Sequence, residues 1–179
     1  MNLLQELKAL LKELQSEKMQ RFKRRVSVGD LLTDRWEIAR QYGFGEGTSC
    51  YDNVLILGAV RVGKHTWIGP NVILDGSGGG LEIGDYCTIG AGTHIYTHDT
   101  MNWALSGGKL PAEIGPVRVG SCVFIGPKVT IARGVTVGDR VAIGAHAFVN
   151  TDIPAGMMAA GIPAMVRGKA PSQGPTHDP

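Results

Sequence analysis

Aliphatic side chains return at every sixth position along most of this chain. The count is unbroken through Val119, Ile125, Ile131, Val137, Ile143 and Val149, and the same frame holds at Ile56, Val62, Ile68 and Leu74 and again at Ile83, Ile89 and Ile95. One place after the later set stand Gly120, Gly126, Ala132, Gly138, Gly144 and Asn150; four places after it stand Val123, Val129, Val135, Val141, Ala147 and Ile153. Such a period is too long for strand alternation and does not match the roughly 3.6-residue turn of a helix. It fits a short strand and a turn, repeated, and a repeat of this kind decides the whole fold. The glycine is expected to let the chain bend where a Cβ would clash. The aliphatic residue and the one four places later then share a narrow interior. Each stacks on its equivalent in the next coil, with backbones about 4.8 Å apart and every coil stabilised by its neighbours.

Ahead of the repeat, Leu3, Leu4, Leu7, Leu10, Leu11 and Leu14, with Lys and Glu between them, predict an amphipathic helix over residues 2–24. Its leucine face suits packing on protein, in its own subunit or a neighbour. With Arg21, Lys23, Arg24 and Arg25 it also suits peripheral contact with a membrane surface. Lys18 interrupts the face and no Trp joins it, which favours protein. Asp30 to Tyr42 predicts a second short helix with Trp36 and Ile38 available for packing, and Gly43, Gly45 and Gly47 mark a linker into the repeat.

The frame breaks twice. Leu74 to Ile83 is longer than one repeat, so Gly76-Ser77-Gly78-Gly79-Gly80 is a small insertion; His98 to Pro116 shows no repeat at all. That second stretch is too long for an idle connection, and Trp103, Leu105 and Leu110 would gain by docking on a neighbouring surface. After Val149 the frame fades, and Gly161-Ile162-Pro163-Ala164 turns the chain off the solenoid. The expected organisation is a helical region over 1–45, a repeat domain over 46–168 with an inserted loop at 98–116, and a polar, proline-containing disordered tail over 169–179.

Composition adds mainly exclusions. The net charge of +2 argues against nucleic acid as a partner, and it is unevenly placed: residues 1–25 hold seven Lys/Arg and three Glu, which leaves the remainder near −2. No cationic start leads into an apolar core and cleavage site, and no apolar run approaches the roughly 18 residues that span a bilayer, so the expected location is the cytoplasm. Cys50, Cys87 and Cys122 have neither disulfide nor zinc spacing.

The run IGPKVT-IARGVT-VGDRVA-IGAHAF resembles the hexapeptide repeat of the left-handed parallel β-helix acyltransferases, and the likeness covers roughly residues 46 to 168. The fold it implies is mainly β: a single-stranded left-handed parallel β-helix, three hexads to a triangular coil, with the α-helical region at its N-terminus. The handedness comes from the resemblance alone, because crossover connections are otherwise right-handed. The resemblance also implies a cyclic homotrimer with active sites between subunits. The implied chemistry is transfer of an acetyl group from acetyl-CoA to a hydroxyl or amino group, with no metal required.

His98 opens the unpatterned loop, where that family places a general base. A base for this step needs a pKa near neutral, which histidine's ordinary value of about 6.5 supplies. Asp99 serves either to orient the imidazole or to cap a loop amide; Asp75 stands at a corner where most hexads have Gly and either holds His98 or the acceptor, or makes a turn. Asn71 matches an acceptor-binding Asn of related sugar acetyltransferases and is equally ordinary turn chemistry, while Tyr96 and Trp103 suit stacking on a sugar ring or plain loop packing. Together these lean the acceptor toward a sugar or glycoconjugate. The resemblance carries the acyl-CoA contacts to Gly126, Pro127, Ala145, Asn150, Thr151, Met165, Arg167 and Lys169; Lys128 and Arg133 add cations nearby for phosphate. Met165 departs from the Arg or Lys common at its place, which passes the phosphate contact to Arg167 or Lys169.

Two other readings compete. Some β-helices of this shape are zinc-dependent carbonic anhydrases, and His65, His98 and His146 share the fourth hexad position. Counted by threes, however, they fall on different corners of the prism, and His94 is out of phase with them, so only neighbouring subunits could gather three imidazoles on one ion. A non-catalytic scaffold is the third reading; it needs no His98-Asp99 loop.

Overall fold

Three hexads close one coil, so each aliphatic residue lands on the one three hexads later. In the computed structural model, which describes residues 2–171, parallel pairing stacks Cys50, Ile68, Ile89, Ile125 and Ile143 along a first face. Ile56, Leu74, Ile95, Ile131 and Val149 stack along a second, and Val62, Ile83, Val119 and Val137 along a third, with Ile153 bridged to Val137. These columns, with Val72, Val117, Val123, Val129, Val135 and Val141 between them, are the buried core, against which Ile56 at the start of the second column is partly buried. The mainly β solenoid is therefore the architecture that the six-residue period predicts, and the helical N-terminus is the one that the leucine spacing predicts.

The glycine expectation divides in two. Gly90 follows Ile89, and a Cβ on it would lie 2.5 Å from Pro127 N and 2.6 Å from Gly126 C in the next coil; its role is close approach between coils. The bend itself falls two places later, at residues of positive φ: Gly92 (68°), but also Asn71 (57°), Lys128 (57°) and His146 (60°). Gly90→Ala is thus expected to lower unfolding stability by about 1–3 kcal/mol through overpacking against backbone. Gly92→Ala, whose Cβ would meet only Lys128 Cγ at 3.4 Å, should cost only about 1 kcal/mol of left-handed strain. Urea unfolding of the two variants checks that order.

The glycine insertion does not form a separate loop. Ile73–Ile83 runs as one strand through the corner between the second and third faces, beside Leu55–Val62, and the register shifts between Gly58 and Val60 to absorb the extra residues. This is the corner where the chain later departs into the His98 loop.

At the N-terminal end, helix α1 (Leu3–Phe22) is capped by Asn2, whose side chain accepts from the Gln5 amide at 3.0 Å. Of its leucines only Leu11 and Leu14 are half-buried, where α1 leans on α2 (Val28–Leu32). Leu3, Leu4, Leu7 and Leu10 stay exposed. The single second helix expected over Asp30–Tyr42 is instead two, α2 and α3 (Arg35–Gln41). Asp34 separates them by accepting the Trp36 and Glu37 amides at 2.9 and 3.0 Å, which starts a new helix. Ala39 of α3 and Phe44 close the base of the core, and Ile38 packs against it. Asp30 and Arg35 form a two-point ion pair at 2.7 and 2.8 Å, with Arg35 over the Tyr51 ring.

At the far end Met165–Lys169 returns antiparallel along Met157–Ala160. Lys169, expected to begin the tail, ends this strand, and the expected tail from Ser172 onward lies outside the described residues. Among the described residues, no helix is long and apolar enough to cross a membrane.

Candidate active site

The corner between the second and third faces gathers His98, Asp75 and a residue the hexad frame hides, Ser77. Ile95 points into the core and Thr97 is buried, its hydroxyl accepting the Gly78 amide at 2.8 Å. A Cβ on Gly78 would overlap the Thr97 carbonyl, so the glycine-rich strand can lie directly under the departing chain. His98 and Asp99 then pair antiparallel with Ile114 and Glu113, forming the neck of the loop.

His98 Nδ1 lies 2.7 Å from Asp75 Oδ2; the carboxylate is fully buried, and the imidazole is 36% exposed. Ser77 donates both its hydroxyl and its amide to Asp75 Oδ1, at 2.6 and 2.9 Å, and its Oγ is 3.2 Å from His98 Nδ1. Among the described residues Asp75 Oδ2 has no aligned hydrogen-bond donor; the imidazole contact is a close charge contact rather than a straight hydrogen bond. Burial pushes the Asp75 carboxyl up, but the Ser77 hydroxyl and amide, the His98 charge and the Thr97 amide outweigh it, and the carboxyl sits below the ordinary aspartate value.

These neighbours assign the tautomer. The Ser77 hydroxyl spends its one proton on Asp75, so it offers lone pairs to His98. Nδ1 therefore faces two oxygen acceptors and carries the proton, which leaves Nε2 as the basic nitrogen. The same geometry argues against Ser77 as a nucleophile. A Ser-His-Asp triad needs serine and aspartate on opposite ring nitrogens, and here both stand on Nδ1.

Asp99 does not approach the imidazole in this arrangement. It accepts from the Met101 amide at 3.1 Å and pairs with Arg133 Nε at 2.7 Å. The Arg133 hydrogen bond first, then the Met101 amide, hold its carboxyl low. Arg133 also pairs with Glu113, which accepts from Asn102; the guanidinium expected near phosphate is occupied within its own chain. Beyond the neck lies α4 (Met101–Leu105). Trp103, Leu105, Leu110 and Ile114 are exposed on this lobe.

Asn71 lies at another corner, between the first and second faces, paired with Asn53 of the preceding coil at 3.1 Å. Tyr96 stands beside His94, hydroxyl to Nδ1 at 3.3 Å, on the outer side of the second face. The residues expected at acyl-CoA are placed in two groups. Asn150 and Thr151 follow Val149 at the His98 corner, farther along the axis. Gly126, Pro127 and Ala145 occupy the corner between the first and second faces, where His146 donates its amide to the Pro127 carbonyl at 3.0 Å. Met165, Arg167 and Lys169 lie in the terminal strand of the first face. There Lys169, Arg140, Phe124 and Ala142 line a groove of about 580 Å³.

His65, His98 and His146 stand at three different corners, and among the described residues no three His, Cys, Asp or Glu side chains converge as a metal site. Sequence alone had one available signal for Ser77: it is the only polar residue in the glycine stretch, two places after Asp75.

Against this geometry, the chain's likeness to known proteins is consistent. The family description "Bacterial transferase hexapeptide (six repeats)" matches residues 116–151, and "Hexapeptide repeat of succinyl-transferase" matches residues 59–97. Galactoside O-acetyltransferase of Escherichia coli (strain K12) is 30% identical over 125 residues, 59% of this chain and 61% of that enzyme; the match thus spans about three fifths of that relative's length. Among solved structures, a point mutant of AntD, an N-acyltransferase from Bacillus cereus in complex with dTDP and coenzyme A, superposes with a TM-score of 0.66 at 25% identity, over 72% of this chain and 73% of that one. A hexapeptide-repeat acetyltransferase from Vibrio cholerae shares the fold over 96% of this chain and 94% of its own, with a TM-score of 0.65 at 24% identity.

Proposed function

This chain belongs to the hexapeptide-repeat transferase family, and from that premise we propose that it transfers an acetyl group from acetyl-CoA to a hydroxyl or amino group of a sugar or glycoconjugate. The observation that carries the reading is the Asp75–His98 contact at the mouth of the loop, which leaves Nε2 basic and outward. His98 Nε2 takes the acceptor's proton as its oxygen or nitrogen attacks the thioester carbonyl. The tetrahedral adduct then expels the CoA thiolate, the imidazolium returns the proton to sulfur, and the acetylated acceptor and free CoA leave. No covalent acyl-enzyme is required: Cys50 and Cys87 are buried, burial pushes the Cys50 thiol up to about 12, and the exposed Cys122 lies between the third and first faces, at a different corner from His98.

The donor contacts support an assembly. Gly126, Pro127 and Ala145 share no corner with His98 within one chain, so their joint use needs a second copy, in keeping with a homotrimer whose sites lie between subunits. The exposed Trp103 and Leu105 of the loop, and Leu3, Leu4, Leu7 and Leu10 of α1, are apolar surface that such an assembly would cover. For α1, a membrane surface is the other cover, and liposome flotation against sedimentation of the protein alone separates the two.

Calorimetric titration of the metal-free protein with acetyl-CoA tests the function. Saturable micromolar binding, followed by transfer to a hydroxyl or amino sugar, is the expected result. Absence of binding together with stoichiometric zinc uptake would overturn it in favour of metal-assisted hydration.

A further inference from the structure

Arg133 lies on the coil that follows the loop, two places after the inward Ile131, and its side chain reaches back over the loop's neck. Its Nε donates to Asp99 Oδ2 at 2.7 Å, and Nη2 bonds Glu113 Oε2. Asp99 and Glu113 face one another across the antiparallel neck, and the adjoining rung pairs His98 with Ile114. Two carboxylates directly opposite one another on paired strands repel, so without a cation the neck would be pushed apart one residue from His98. With Arg133 in place, the same two carboxylates become its anchors. Asn102 donates to the other oxygen of Glu113, and the Met101 amide to the other oxygen of Asp99. The backbone repeats the arrangement: Gly115 donates to the Thr97 carbonyl at 2.8 Å, and Gly134 to the Gly115 carbonyl at 3.1 Å. His98 is thus held from the preceding coil by Asp75 and Ser77, and its strand is held from the following coil by Arg133.

We propose that Arg133 is a positioning residue for the transfer reaction, clamping Asp99 and Glu113 so that the neck presents His98 to Asp75, and that it is not a phosphate ligand of CoA. This rests on the acetyl-transfer reading above. Small displacements of a reacting group can cost on the order of 10² in rate. Arg133→Met, which keeps an unbranched apolar stem but removes the charge and the donors, is therefore expected to lower kcat by about 10- to 100-fold, with KM for acetyl-CoA within about twofold of wild type. The informative variant is Glu113→Gln in the Arg133→Met background. It removes the repulsion along with the clamp and gives Asp99 an amide donor, so it should recover most of the lost rate. A bulk structural role or a phosphate contact would not be rescued by that change.

The same variants are followed by protease cleavage within residues 100–112 in the absence of any substrate. Cleavage should quicken at least about tenfold in Arg133→Met and slow again in the double variant. A raised KM with unchanged kcat, no rescue by Glu113→Gln, or unaltered cleavage each overturns the proposal. The cleavage readout decides even if the wild-type protein proves to transfer no acetyl group, so failure of the clamp and failure of the enzymatic reading are told apart.

Discussion

His98→Ala is expected to lower acetyl transfer by at least about 10²-fold, since a positioned general base typically contributes roughly 10²–10⁴. The loss should appear in kcat and kcat/KM alike, because the proton is moved only in the transition state. Binding of acetyl-CoA should stay near the wild-type value: the side chains proposed to hold the donor sit on the last coils and the terminal strand, and none of them contacts His98. Retained activity in steady-state assays with a saturating acceptor would remove His98 as the base. A lost affinity for acetyl-CoA in calorimetry would mean instead that the imidazole holds the donor.

How much of this was legible beforehand follows from how far each feature reaches along the chain. The solenoid was legible because the hexad signal is local and repeats; Ile125 and Ile143 share a column since three periods close a coil. His98 was legible as the point where the frame stops. Asp75 was half-legible: a carboxylate at a corner usually held by glycine signals something, but only the stacked register reveals that it contacts the imidazole rather than turning the chain. Ser77 was hidden because an insertion breaks the count, and the count was the only guide to what lies above what. Asp99 and Arg133 show the same limit. Adjacent residues on an extended neck point apart, so the aspartate beside His98 in sequence turns to Arg133 on the next coil, a partner beyond the reach of local spacing. Asp34 was available as a helix cap, and its two amide contacts explain why an uninterrupted helix over Asp30–Tyr42 was the wrong expectation.

Asp75→Asn separates a carboxylate that holds the base from one that merely fills a corner. The side chains are nearly the same size, so the packing beneath the loop should survive while the hydrogen-bond polarity changes. With an amide in place of the carboxylate, the Ser77 hydroxyl loses the charged acceptor that now takes its proton at 2.6 Å. Ser77 is then free to donate to His98 Nδ1, 3.2 Å away, which moves the imidazole proton to Nε2 and blunts the base. The expected loss in kcat is about 10²–10³-fold with KM for acetyl-CoA unchanged, within the range that general-base catalysis supplies. Stability should shift in a way that checks the same contact. The Asp75 carboxyl is lower in the folded chain than the ordinary aspartate value, so its ionised form stabilises the fold above that ordinary range, and this contribution is lost as pH falls through the folded value. The asparagine variant should therefore be less stable than wild type near neutrality and lose less on acidification, as urea titrations at pH 7 and pH 3.5 would register. A variant that keeps kcat within about threefold of wild type would make Asp75 a turn residue and leave the orientation of His98 to Ser77 alone.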